Sequence, residues 1–119
     1  METIMDFFRE LYKNFNSRKI DLVISQMTTD VKWANGMDGG YVYGHEGVRE
    51  YWTWQFKLVK SQVTPLNINV ESKSAKIKVH QVVHDLEGNL LADEIVDHHF
   101  YLKNGKISEF VIGGKIKSK

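Results

Sequence analysis

The chain has no cysteine, a single proline and no excess of either charge. Without thiols it forms no disulfide, offers no thiolate nucleophile and holds no zinc through sulfur. Sixteen Lys and Arg against fifteen Asp and Glu leave a net charge of +1. That balance provides no basic surface for a phosphate backbone, so nucleic acid is not an expected partner. No apolar run approaches the roughly 18 residues that span a bilayer, and no membrane partner is expected. Met1 to Asp6 lacks the basic and apolar regions of a signal peptide, which makes the cytoplasm the expected location. A nucleophile elbow of the GxSxG type is missing, and Gly39-Gly40 and Gly113-Gly114 lack the setting of a phosphate loop.

What is present is apolar and aromatic. With 42% apolar residues in 119, the sequence can bury the core of one domain spanning 1–119. All three tryptophans fall between Trp33 and Trp54, beside Tyr41, Tyr43, Tyr51 and Phe56. Such crowding marks a dense core, a lined pocket or an interface.

Glu2 to about Phe15 places Ile4, Phe8, Leu11 and Phe15 at helical spacing, with Thr3 and Asp6 set for a capping pair. Asn16-Ser17-Arg18-Lys19 interrupts that pattern, and a second helix is expected from Ile20 to Met27, burying Leu22, Val23 and Met27. From Thr29 the period changes to alternation, with Val31, Trp33 and Asn35 on one side. Glycines in Gly36–Gly40 make a turn into a short strand, Tyr41 to Tyr43. His45 to Val59 reads as a helix with Val48, Trp52, Phe56 and Val59 on its stripe and Tyr51 beside it. Leu66, Ile68 and Val70 alternate after Pro65, which belongs at a bulge or a sheet edge. Ala75–His84, Leu90–Leu102 and Lys106–Gly113 are long strands, turning at Asp85–Asn89 and Asn104-Gly105. The order α-α-β-β-α-β-β-β describes an α+β domain: a curved antiparallel sheet with helices on one face. Lys115 to Lys119 is a short basic tail.

Pairing Asp85 with Asn89 sets His80 opposite Glu94 and Val82 opposite Ala92. One face then carries His80, Val82, Glu94, Val96, His98, Phe100 and Leu102. A slip of one residue brings Asp93 beside His80 instead. A histidine in an apolar cavity, oriented by a carboxylate, can move a proton, so His80, His98, Glu94 and Asp93 are the candidate catalytic residues. The bland alternative is a core histidine that merely satisfies a hydrogen bond. No metal is expected: His98 and His99 point to opposite faces of a strand, and no HxH or HxxxH pair occurs. Trp33, Asn35, Tyr43, Tyr51, Trp52, Val82, Phe100 and Tyr12 are the candidate walls of a pocket for a flat apolar molecule, with tyrosines to polarise a carbonyl. Trp54 lies off the helical stripe and belongs to an interface or a pocket rim.

The order of elements, with Phe15-Asn16-Ser17-Arg18-Lys19-Ile20-Asp21, Met27-Thr28-Thr29-Asp30-Val31-Lys32-Trp33, Gly44-His45-Glu46-Gly47-Val48-Arg49-Glu50-Tyr51-Trp52, His80-Gln81-Val82-Val83 and His98-His99-Phe100 through Ile107, carries a family likeness. The chain resembles the SnoaL-like, ketosteroid-isomerase-related branch of the nuclear transport factor 2-like superfamily. That resemblance implies a cystatin-like cone with helices on the concave face of the sheet, a pocket at the open end and a homodimer through the sheet. It further implies a small apolar or aromatic ligand and an isomerase, cyclase or dehydratase, or else a non-catalytic binding or dimerisation module. Proton transfer of this kind needs no organic cofactor. Two departures argue against steroid isomerisation itself. Leu11 stands where the isomerase pattern has an oxyanion tyrosine, and Asn35 where it has an aspartate base; Tyr12 can substitute as donor if the first helix is rotated.

Overall fold

A computed structural model describes residues 3–113, so the basic tail lies outside the described residues. The elements are α1 (Ile4–Asn16), α2 (Ile20–Ile24), β1 (Met27–Ala34), β2 (Tyr41–Tyr43), α3 (Gly44–Leu58), β3 (Val59–Val70), β4 (Ser74–Asp85), β5 (Leu90–Lys103) and β6 (Lys106–Ile112). Four strands rather than three follow α3, because the Leu66–Val70 segment is the far end of a longer strand. Among the described residues no helix is long and apolar enough to cross a membrane.

Helix α1 opens with the capping box its sequence suggests. The Asp6 amide donates to Thr3 Oγ1 at 3.1 Å and the Thr3 amide to Asp6 Oδ2 at 3.2 Å. Such a cap stabilises a helix by about 1 kcal/mol. Phe8, Leu11 and Tyr12 form its buried face, whereas Ile4 stays exposed. The interruption after α1 is a clamp on β3. Asn16 meets the Val63 backbone twice, at 2.7 and 2.9 Å, in the manner of an adjoining strand. Arg18 donates to the Ser61 carbonyl at 2.8 Å and lies 4.3 Å from the centre of the Phe56 ring. Helix α2 is shorter than its apolar spacing predicts: Val23 and Ile24 are buried, Leu22 is exposed, and Met27 is already in β1, paired with Ile107.

The curved sheet has the order β2-β1-β6-β5-β4-β3. It is mixed rather than wholly antiparallel, since β1 and β6 run parallel. Helix α3 carries the chain from the β2 edge to the β3 edge, and the four-strand meander returns β6 to β1 in the same direction. Pro65 sits on the β3 edge and at a bulge between Pro65 and Asn67, where its missing N–H breaks no central ladder. Leu66, the extra residue of that bulge, faces solvent.

The β4–β5 hairpin decides which residues face the helices. At its turn the expected register holds, with His84 opposite Leu90 and the Asp85 amide donating to the Asn89 carbonyl at 2.9 Å. The register then shifts by one residue, so that Val83 pairs with Ala92, Gln81 with Glu94 and His80 with Ile95. Leu91 is the extra residue of this bulge. Two residues facing one reverse the phase of one strand against the other. Strand β5 keeps Glu94, Val96, His98 and Phe100 inward as expected, but β4 turns Ala75, Ile77, Val79, Gln81 and Val83 inward. His80 and Val82 therefore lie on the convex face.

Candidate functional site

Between the concave sheet face and helices α1 and α3 lies a cavity of about 250 Å3. Its walls are largely aromatic, with Trp33 stacked on Phe110 at 4.2 Å between ring centres and Trp52 edge-on to Trp33 at 5.3 Å. Phe15 meets Trp52 edge-on from α1, also at 5.3 Å. Each such pair contributes about 0.5–1.5 kcal/mol beyond the area it buries, which makes the wall stiff as well as apolar. Trp33 and Trp52 serve both core and cavity.

The most buried polar contact joins Tyr12 of α1 to His98 of β5. The Tyr12 hydroxyl and His98 Nδ1 are 2.7 Å apart, and both residues line the cavity. Burial, aided by neighbouring His99, lowers the His98 pKa to about 3. Burial likewise raises the Tyr12 phenol well above its ordinary value. Both groups are thus neutral near pH 7. If the phenol donates to Nδ1, the imidazole proton sits on Nε2; if Nδ1 donates, the phenol proton turns elsewhere. Either way the neutral pair keeps one N–H or O–H beyond its own hydrogen bond.

Other polar groups complete the wall. Glu94 lines it from β5, opposite Gln81 of β4. Four residues of strand set the Cα atoms of Glu94 and His98 roughly 13 Å apart, and the His98 Nδ1 is hydrogen-bonded to the Tyr12 phenol. Tyr51 lines the cavity from α3 and accepts from the Gly36 amide at 3.1 Å; burial raises its pKa. Gly36 itself has little spare room, since a Cβ there meets Ile112 Cδ1 at 3.2 Å.

Several sequence expectations are corrected here. His80 and Asp93 do pair, at 2.6 Å, but on the exposed convex face, because the one-residue slip at Leu91 turns His80 to the outer side where Asp93 already lies. Val82 shares that face. Since His80 and His98 lie on opposite faces, they share no metal. Tyr43 is 63% exposed: Val42 is the residue opposite Trp33, and antiparallel partners share a face. Asn35 organises the turn, its Oδ1 accepting the amides of Met37 and Asp38 at 3.0 and 2.8 Å, and is not on the cavity wall. Tyr12, Trp33, Tyr51, Trp52, Phe100, Glu94 and His98 do lie on the wall, as does Leu11. Trp54 is exposed, with its ring 6.4 Å from that of Tyr51. Gln55 and Gln81 line the cavity without having been anticipated. Both signals were legible, Gln55 as the i+4 neighbour of Tyr51 and Gln81 within the alternation Ala75, Ile77, Val79, Val83.

No protein-family profile and no curated protein matches the chain. Solved structures do. An NTF2-like protein of unknown function from Burkholderia pseudomallei superposes with a TM-score of 0.83 at 22% identity, over 94% of this chain and 90% of that one. The fold is NTF2-like. Two further matches are known with a bound compound or an activity. TerC, co-crystallised with polyporic acid, superposes with a TM-score of 0.76 at 23% identity, covering 91% of this chain and 85% of its own. SalBIII, an epoxide hydrolase/cyclase-like enzyme of pyran ring formation in the polyether salinomycin, gives 0.77 at 15% identity, covering 92% and 88%. At these identities the likeness speaks for the NTF2-like fold, and function has to be argued from the cavity.

Proposed function

We propose that the cavity binds a small apolar or aromatic ligand bearing a carbonyl oxygen, and that the protein acts on it as an isomerase, cyclase or dehydratase of the SnoaL-like type. The observation that carries this reading is the buried Tyr12–His98 hydrogen bond on an aromatic wall. With a pKa of about 3, His98 is a weak base, so the pair serves as a hydrogen-bond donor to the ligand oxygen. Glu94 is the one carboxylate among the described residues on the wall. It takes the proton from the carbon beside the carbonyl while Tyr12 and His98 hold the enolate oxygen. Returning that proton to another carbon isomerises the ligand; giving it to a leaving hydroxyl expels water. The structural likeness to SalBIII supports this class of chemistry, and the likeness to TerC supports a ligand-holding cavity.

Binding without turnover is the second reading, favoured by the aromatic and apolar wall, which holds a flat molecule without any proton transfer. Incubation with 2-tetralone in D2O separates the two. Exchange of the ketone's α-protons, followed by NMR and lost in Glu94→Gln and Tyr12→Phe, supports the enzyme. Binding without exchange leaves the ligand-binding module. Absence of binding removes both. The homodimer is likewise a proposal, supported by Val82, Ile95 and Val111 on the convex face, and sedimentation equilibrium tests it.

A further inference from the structure

Helix α3 presents two polar side chains to the cavity one turn apart, Tyr51 and Gln55. At this spacing the Cβ atoms are about 5–6 Å from each other on one helix face. The Tyr51 oxygen is engaged as an acceptor by the Gly36 amide at 3.1 Å. In that bond Tyr51 is the acceptor, and its O–H is left to donate. The Gln55 Oε1 atom is the converse: it is buried and, among the described residues, accepts from nothing. The Tyr51 O–H therefore does not reach it. A buried acceptor without a partner is unfavourable and uncommon, and it calls for a donor.

We infer that Tyr51 and Gln55 form a hydroxyl-binding subsite, in which one ligand O–H group accepts from Tyr51 and donates to Gln55 Oε1. A hydroxyl is the small group that supplies both halves of such a bridge; an ether or a ketone supplies only the acceptor. Rotation about the terminal amide torsion of Gln55, which is broad, turns Oε1 towards the cavity. This inference rests on the ligand-binding reading above and narrows it to hydroxylated ligands, held at α3 by the hydroxyl and at Tyr12–His98 by a second oxygen.

The test uses 2-naphthol and its methyl ether, 2-methoxynaphthalene, titrated calorimetrically into the full chain. The expected result is naphthol binding about tenfold more tightly than the ether, as one satisfied hydrogen bond between buried groups implies. Gln55→Met should abolish that preference while leaving ether affinity within about twofold, since the two side chains are similar in volume. Tyr51→Phe should weaken both probes, since each offers the oxygen that accepts from Tyr51, and retained ether binding by Gln55→Met shows that this variant has folded. Equal binding of the two probes to the native chain overturns the subsite and leaves the cavity reading intact. A preference that survives Gln55→Met overturns it too, by placing the hydroxyl elsewhere, and so does ether affinity unchanged by Tyr51→Phe. Failure of both probes to bind overturns the cavity reading and the subsite together.

Discussion

Tyr12 and His98 lie 86 positions apart in the sequence, and the fold brings phenol oxygen and Nδ1 to 2.7 Å. Two groups that titrate on either side of neutrality in water are both held uncharged by burial. The pair is stabilised because each satisfies the other's hydrogen-bonding need where protein has replaced most of the surrounding water. A site made this way donates hydrogen bonds well and accepts protons poorly.

The first consequence concerns pH. The His98 pKa of about 3 is below the ordinary 6.5, so the unfolded chain binds a proton that the native protein refuses. Stability from neutral His98 is complete above about pH 6.5 and declines as pH falls from there toward 3, by up to about 1.4 kcal/mol per pH unit. Urea denaturation at several pH values should record this slope, and His98→Gln should flatten it by one proton. The imidazole resonances of His98 should not move between pH 8 and 5.

Removing the phenol oxygen isolates His98. Tyr12→Phe leaves Nδ1 buried without its partner and should destabilise the protein by about 1–3 kcal/mol. Combining it with His98→Leu should be less damaging than the sum of the two single changes, because the second removes the orphan created by the first. Strict additivity in chemical denaturation contradicts the hydrogen bond.

His80 and Asp93 provide a contrast. Their pair is on the convex face with both side chains substantially exposed, so Asp93→Asn or His80→Ala should alter stability by less than about 1 kcal/mol. Neither should affect the affinity for 2-tetralone. A loss of affinity in His80→Ala would place the β4–β5 register where the turn alone predicts it.

The tryptophans should report independently. Trp33 and Trp52 are buried on the cavity wall and Trp54 is exposed. In fluorescence, Trp54→Phe should remove the component that acrylamide quenches readily while preserving the response to ligand. Trp52→Phe, a change to a smaller ring in a fully buried position, should diminish the ligand response and lower stability by about 1–3 kcal/mol.

Gly44 links β2 to α3 at a φ of +74°, and a Cβ there would stand 3.3 Å from the Thr29 carbonyl oxygen. Gly44→Ala should cost about 1–2 kcal/mol from the left-handed conformation, before any steric contribution. Thermal unfolding should show this as a lower Tm with the same far-ultraviolet spectrum.

Much of this architecture is local and was legible in the residues. Helical spacing, the Thr3–Asp6 cap, the alternation of the strands and the turns at Gly88 and Asn104-Gly105 depend on neighbours along the chain. So does the inward phase of β5, which put Glu94, His98 and Phe100 on the concave face. The lysines at 76 and 78, in phase with His80, already marked its side of β4 as the outer one. What the local pattern did not contain was the extra residue at Leu91, because a bulge is settled by how two strands pack against the helices over their whole length. That single residue removed His80 and Val82 from the cavity, set His80 beside outward-facing Asp93 and brought in Gln81. The parallel pairing of β1 with β6 depended likewise on α3 crossing the sheet. The partner of His98 was decided by the rotation of α1, clamped to β3 by Asn16 and Arg18. The sequence determined which side chains were available for chemistry; tertiary packing decided which of them meet, since contacts between distant elements answer to the free energy of the whole core.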